Sequence, residues 1–149
     1  METCLVCQSV SGAKRISPGP FIYDGRYWVV DHAYPVKMTG WLVIVLKRHA
    51  EALHDLTDGE FEELAALQKT CAQALHEAFG CAKEYAICLA ESEGFKHLHY
   101  HVIARAPDLP ETLRGTKIFQ MIQPAPGEAV PPETIRAFCE SLAPFFRAG

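Results

Sequence analysis

The sequence has no run of basic residues and no arginine stripe. Its 14 Lys and Arg are outnumbered by 18 Asp and Glu, which leaves a net charge of −4 over 149 residues. Sequence-independent binding to nucleic acid needs concentrated positive surface, so no nucleic-acid partner is expected. Long apolar runs are also missing. The longest, GWLVIVL at 40–46, falls well short of the ~20 residues that cross a bilayer, so no membrane partner is expected. The opening METCLVCQ has no basic stretch followed by an apolar core. That predicts no secretory signal and a cytoplasmic location. No repeat or low-complexity tract divides the chain, and residues 1–149 are expected to form one domain with its own core.

The six cysteines do not read as a disulfide framework. Cys71, Cys81, Cys88 and Cys139 are scattered through apolar segments, where free cysteine behaves as a small buried hydrophobe. Only Cys4 and Cys7 have a recognised spacing, C-x-x-C, and no second such pair exists. In a cytosolic chain that spacing favours a metal site or a redox pair. A thioredoxin-type redox pair normally opens a helix after a strand, whereas this one begins the sequence.

The segment SVSGAKRISPGP, which follows the cysteine pair, reads as a loop. Two β-prone runs then flank Asp24-Gly25, a hairpin signal. WLVIVL reads as a buried strand. Thr57 and Glu60 form a capping box at the start of the longest helix, whose apolar face runs through Phe61, Leu64, Cys71, Leu75 and Phe79 and which ends near Gly80. EYAICLAE (84–91) and HLHYHVIAR (97–105) read as two further strands, and a final helix is expected from near Pro132 to about Phe146. The order predicts an α+β fold with a mainly antiparallel sheet.

The segment GFKHLHYHVIA, 94–104, holds three of the chain's seven histidines, at every second position. On a strand such residues share one face, roughly 6.5 Å apart along it. His97, His99 and His101 form a row there, with Leu98, Tyr100 and Val102 on the opposite face. A solvated histidine-rich face is one reading. A single metal held by all three fits poorly, because metal–nitrogen bonds are only about 2.0–2.1 Å long. A catalytic row fits best, one imidazole attacking and a neighbour donating a proton or contacting phosphate.

The segment HLHYHVIARAPDLP resembles the His-x-His-x-His signature of the histidine-triad nucleotide hydrolases and transferases. The likeness extends backwards through GWLVIVLKRHAEALHDLTDGE, with its Lys-Arg-His, to an N-terminal C-x-x-C of the kind carried by zinc-bearing bacterial members. It covers about residues 4–110, and the tail at 106–149 is family-variable. The resemblance implies a sheet of about five antiparallel strands with a long helix and a C-terminal helix, usually in a homodimer. It implies that His99 attacks the α-phosphorus of a nucleotide conjugate, of the dinucleoside polyphosphate or phosphoramidate type, to form a nucleotidyl-histidine. His101 would contact the phosphate or help the leaving group depart. The backbone carbonyl of His97 would take the proton of the His99 ring and so fix its tautomer. In zinc-bearing relatives a structural zinc is held by the positions of Cys4, Cys7, His49 and His97. His54 and His76 have no such company and read as ordinary.

Three departures from the family pattern bear on substrate and activity. Gly40 is followed by Trp41, where many members have histidine; Trp41 can stack on a nucleobase or belong to the core. SEGFK stands where a Gly-Gln segment usually contacts phosphate, with Ser92 and Lys96 as substitutes. Asp31 and His32 occupy the neighbourhood of the usual ribose-binding acid. Two alternatives follow: a nucleotide-binding or regulatory protein without turnover, and a hydrolase using zinc as Lewis acid, which needs an open coordination position.

Overall fold

The computed structural model describes residues 3–147. One antiparallel sheet contains β1 (Tyr23–Asp24), β2 (Trp28–His32), β3 (Trp41–Leu46), β4 (Lys83–Ile87) and β5 (His99–Arg105), in the spatial order β1-β2-β3-β5-β4. Three α-helices accompany it: α1 (Leu5–Ser11), α2 (Asp58–Phe79) and α3 (Pro132–Arg147). This is the predicted α+β arrangement. No helix among the described residues is long and apolar enough to cross a membrane.

Strand alternation divides the sheet into two faces. Trp28, Val30, Leu42, Ile44, Leu46 and Val102 belong to the main core, which α2 and α3 cover. Val29 and Val45, on the other face, pack with Cys4 and Val6 in a smaller cluster under α1. The capping box of α2 is present. The Thr57 hydroxyl accepts from the Glu60 amide at 3.2 Å, and the Glu60 carboxylate accepts from the Thr57 amide at 2.9 Å, an arrangement worth about 1 kcal/mol. The same buried carboxylate accepts two hydrogen bonds from Arg48, at 2.8 and 2.9 Å. That pairing holds its pKa down to about 2 and anchors the segment that leads to His49.

Gly25 is required by close approach in the β1–β2 turn. A Cβ there would lie 2.1 Å from a Glu63 carboxylate oxygen and 2.9 Å from the Trp28 carbonyl. The Glu63 carboxylate accepts from the Tyr27 and Trp28 amides, so α2 grips the hairpin at its turn.

Three boundaries differ from expectation. Residues 9–11 are helical rather than loop, because the Cys4 sulfur caps α1 by accepting from the Cys7 amide at 3.3 Å and Gly12 closes it with a left-handed φ of 84°. The cysteine pair thus does open a helix, although no strand precedes it among the described residues. β4 stops at Ile87 instead of Glu91, because Ala90 takes a φ of 51°, a conformation that costs an L-residue roughly 1–2 kcal/mol and turns the chain out of the sheet. His97 and Leu98 precede β5. The Leu98 carbonyl keeps the β3–β5 register by accepting from the Leu46 amide at 3.1 Å, but the Leu98 amide leaves it and donates to the Ala50 carbonyl at 2.9 Å.

His32 sets an acid limit on the fold. One ring nitrogen donates to the Ala33 carbonyl at 2.8 Å, while the other accepts from the Gly40 amide at 3.0 Å. Only the neutral ring satisfies both, and burial pushes its pKa down from 6.5 to about 4. The unfolded chain takes up this proton first as pH falls. The stabilisation is therefore complete above pH 6.5 and is lost between 6.5 and about 4, an effect of roughly 3 kcal/mol. Urea midpoints measured across that interval should fall less in His32→Gln, which accepts from Gly40 without titrating. An unchanged acid limb would refute the assignment.

Candidate functional site

A cavity of about 400 Å³ opens on the sheet face that carries α1. Register builds its floor. Val29 pairs with Val45 and Val45 with His99, while Asp31 pairs with Val43 and Val43 with His101. Two rows therefore cross β2, β3 and β5, and Asp31 and His101 lie roughly 10 Å apart in one of them, two strand spacings. The walls come from Phe21, Phe95, Phe119 and Ile122 among others, so the lining is largely apolar. No Lys or Arg lies among its described residues.

The His99 ring is held by a hydrogen bond from Nδ1 to the His97 carbonyl, at 2.6 Å. A carbonyl only accepts, so Nδ1 carries the proton and Nε2 keeps a free lone pair. Burial lowers the pKa of His99, opposed by the bond to His97. The ring is thus neutral, oriented and capable of nucleophilic attack through Nε2.

His101 is fixed from its other side. The Trp41 indole N–H donates to His101 Nδ1 at 2.9 Å. Indole nitrogen only donates, so Nδ1 accepts and the His101 proton sits on Nε2. Burial, followed by the neighbouring charge of His99, pushes its pKa down to about 3. The two imidazole centroids are 5.0 Å apart, and Phe119 packs edge-on against both His101 and Trp41.

The third histidine of the row points elsewhere. His97 is fully buried, and its Nδ1 lies 3.5 Å from Cys4 Sγ and 3.4 Å from Cys7 Sγ. His49 Nδ1 lies 3.4 Å from Cys7 Sγ. These four ligand atoms all fall within 4.8 Å of one another and can hold a metal ion. The remote ring nitrogens are also committed, His97 Nε2 to the Leu46 carbonyl at 2.6 Å and His49 Nε2 to the Glu51 carboxylate at 3.1 Å. Such outer partners fix the tautomer that presents Nδ1 to a metal.

Asp31, Ser92 and Trp41 line the same cavity as His99 and His101. Lys96 is exposed and is not part of the lining. Trp41 is wholly buried, which answers the choice between stacking platform and core in favour of the core. Asp31 is tied to Arg15 by two hydrogen bonds of 2.7 and 3.1 Å; burial nonetheless raises its pKa, with Arg15 opposing. Arg15, Glu51 and Phe119 are site residues that sequence reasoning missed. None sits in a spacing motif, and each arrives by tertiary contact. His76 does have company: its ring nitrogen, Cys81 Sγ and a Glu84 oxygen lie within 4.8 Å of one another.

The family described as scavenger mRNA decapping enzyme C-terminal binding matches residues 4–116. Among curated proteins no relative matches. Several solved structures share the fold. A hypothetical histidine triad nucleotide-binding protein from Sulfolobus tokodaii superposes with a TM-score of 0.72 at 17% identity, over 97% of this chain and 93% of its own. A zinc-bound histidine triad family protein from Mycobacterium smegmatis gives 0.68 at 20% identity, over 99% of each chain. A histidine triad protein from Bradyrhizobium japonicum gives 0.67 at 23%, over 83% of this chain and 87% of its own. With the family match spanning well over half of the sequence and the histidine row on the matching sheet, the chain belongs to the histidine-triad family.

Proposed function

We propose that the chain is a nucleotide hydrolase or nucleotidyltransferase that acts at the α-phosphate of a nucleotide conjugate through a covalent nucleotidyl-His99. The observation that carries this reading is the 2.6 Å bond from His99 Nδ1 to the His97 carbonyl, because it presents a lone pair on Nε2 to the cavity. His99 Nε2 attacks phosphorus, and the new P–N bond forms as the bond to the leaving group breaks. Positive charge that develops on the imidazole is stabilised at Nδ1–H by the His97 carbonyl. His101 Nε2–H donates a hydrogen bond to a phosphate oxygen. Water then attacks phosphorus, neutral His99 departs with its electron pair, and a proton leaves for solvent. Asp31, across the sheet floor from His101, is proposed to accept from a ribose hydroxyl. Ser92 and Lys96 are proposed to contact phosphate from the cavity rim, Lys96 by swinging in from the surface.

Zinc is the metal proposed for Cys4, Cys7, His49 and His97. In a tetrahedral site with Zn–S near 2.3 Å and Zn–N near 2.05 Å, each sulfur–nitrogen edge is about 3.6 Å. The three edges here are 3.4, 3.4 and 3.5 Å, so the residues fit. Bound zinc supplies cross-linking and no open position, which speaks against the Lewis-acid hydrolase. His97 joins the two centres, its ring in one and its carbonyl in the other. The reading also carries a cytoplasmic homodimer, and sedimentation tests the assembly.

Chromatography of products from dinucleoside polyphosphates, nucleoside phosphoramidates and nucleotide anhydrides tests the activity. Release of a nucleoside monophosphate from any of them supports it. Nucleotide binding without release from any of them would favour the regulatory alternative.

A further inference from the structure

Among the features of the molecule, the contact between Trp41 and His101 has the sharpest chemical consequence. We infer that Trp41 is a specificity-determining residue that restricts turnover to leaving groups able to depart without a proton. The inference rests on the reading of His99 as nucleophile and narrows the substrate class of that same site.

An imidazole works as a general acid only when both nitrogens carry protons, because the neutral ring is far too weak an acid to give up its single N–H. To become an imidazolium, His101 must accept a proton on Nδ1. That lone pair is already taken by the Trp41 N–H at 2.9 Å. An indole nitrogen cannot reverse the bond, since it has no acceptor lone pair in the ring plane. Protonation would set two N–H groups against each other inside a contact where Trp41 is fully buried and His101 is 9% exposed. The ring cannot easily turn away either, because Phe119 packs edge-on against it at 5.2 Å. His101 is therefore a fixed neutral donor through Nε2. It can steady a phosphate oxygen but has no proton to hand to a departing atom.

The surroundings offer His101 few substitutes as an acid. The titratable residues of the lining are Asp31, His32, Tyr34, Glu91, His99 and His101. His99 is the attacking group, Asp31 is paired with Arg15, and His32 uses both ring nitrogens in backbone bonds. Glu91 is exposed at the rim. Attack by His99 then breaks the bond between phosphorus and the leaving group with the electron pair leaving on that group, unprotonated. A carboxylate or a phosphate tolerates this, whereas an amine or an alkoxide does not. The lining itself contains no Lys or Arg among the described residues and Lys96 would be the one cation brought to it from the surface, which disfavours a long polyphosphate. The chemistry that fits both constraints is a mixed anhydride between a nucleoside monophosphate and a carboxylic acid, with one negative charge at phosphorus and an apolar acyl group against the cavity wall.

The test uses the full-length protein and a series of nucleoside 5′-phosphate aryl esters graded from electron-poor to electron-rich phenols, alongside an acyl anhydride and a phosphoramidate. Wild type should lose about tenfold in kcat for each unit rise in leaving-group pKa and should favour the anhydride over the phosphoramidate by at least 100-fold. Trp41→His and Trp41→Phe, which free Nδ1, should flatten that dependence and raise the relative rate of the poorest leaving groups at least tenfold. A wild-type dependence that is flat, or one unchanged in both variants, would overturn the inference. Nitrogen-15 NMR of His101 in the wild-type protein supplies a readout independent of turnover: a protonated Nε2 and a bare Nδ1 are expected. The opposite tautomer overturns the role of Trp41 even in an active enzyme. The expected tautomer without turnover of any compound overturns the catalytic reading, and the inference falls with it.

Discussion

His99→Ala should remove turnover of every nucleotide conjugate the wild type accepts, a loss of about 10⁴-fold or more. Neither of the other two imidazoles of the lining can take over the attack. His101 presents an N–H to the cavity rather than a lone pair, because Trp41 occupies its Nδ1. His32 is bonded through both nitrogens. The fold should survive the change. The His99 ring hydrogen-bonds to a backbone carbonyl and takes no part in the Cys4–Cys7–His49–His97 group. Metal content should be unchanged and the melting temperature should stay within a few degrees of wild type. Parallel assays of turnover, metal and melting check this. Retained activity would sink the covalent mechanism, whereas loss of activity together with unfolding would leave His99 as a merely structural residue.

Removal of the zinc proposed at Cys4, Cys7, His49 and His97 should have the largest effect on stability. Cys4 caps α1, Cys7 lies within it, His49 follows β3, and His97 directly precedes β5. One ion held by all four would join three segments far apart in sequence. Cys7→Ser should abolish binding at this site and destabilise the fold by more than about 4 kcal/mol, as losses of structural metals do. Chelation of the wild type should reproduce the effect, and added zinc should reverse it only in the wild type. Turnover should fall as well, because the carbonyl that orients His99 belongs to a proposed metal ligand. A metal-free protein that unfolds at wild-type urea concentrations would refute the assignment. The group at His76, Cys81 and Glu84 lies elsewhere, so metal counts are best compared between wild type and Cys7→Ser.

What the sequence made legible was whatever local chemistry dictates. The Thr57–Glu60 box and Gly80 bracket α2 at Asp58–Phe79, and the expected final helix matches α3. The two-residue period placed His99 and His101 on one face. His97 lies just before the paired strand, and its ring meets Cys4 and Cys7 under α1 rather than the cavity. The local pattern could not reveal that the Leu98 amide leaves the register for the Ala50 carbonyl while the Leu98 carbonyl still accepts from Leu46. Ser9–Ser11 look like loop residues, yet a cysteine cap and burial of Val6 against Val29 and Val45 make them helical. Trp41 was ambiguous for a similar reason. Composition says where an indole prefers to be, but its hydrogen-bond partner lies 60 positions away. Arg15 and Phe119 reach the site only through tertiary packing, which no spacing encodes.

The acceptor that orients the His99 ring is a main-chain oxygen, and it therefore has no codon of its own. Any residue at position 97 supplies that oxygen, so no point mutation can delete it. The side chain at the same position, by contrast, is one of four proposed ligands and can be lost in a single step. Drift can thus separate the two duties of His97: a lineage may trade away its metal and retain an oriented nucleophile, provided that packing alone keeps the peptide in place. The vulnerability of this arrangement is displacement of the backbone rather than substitution.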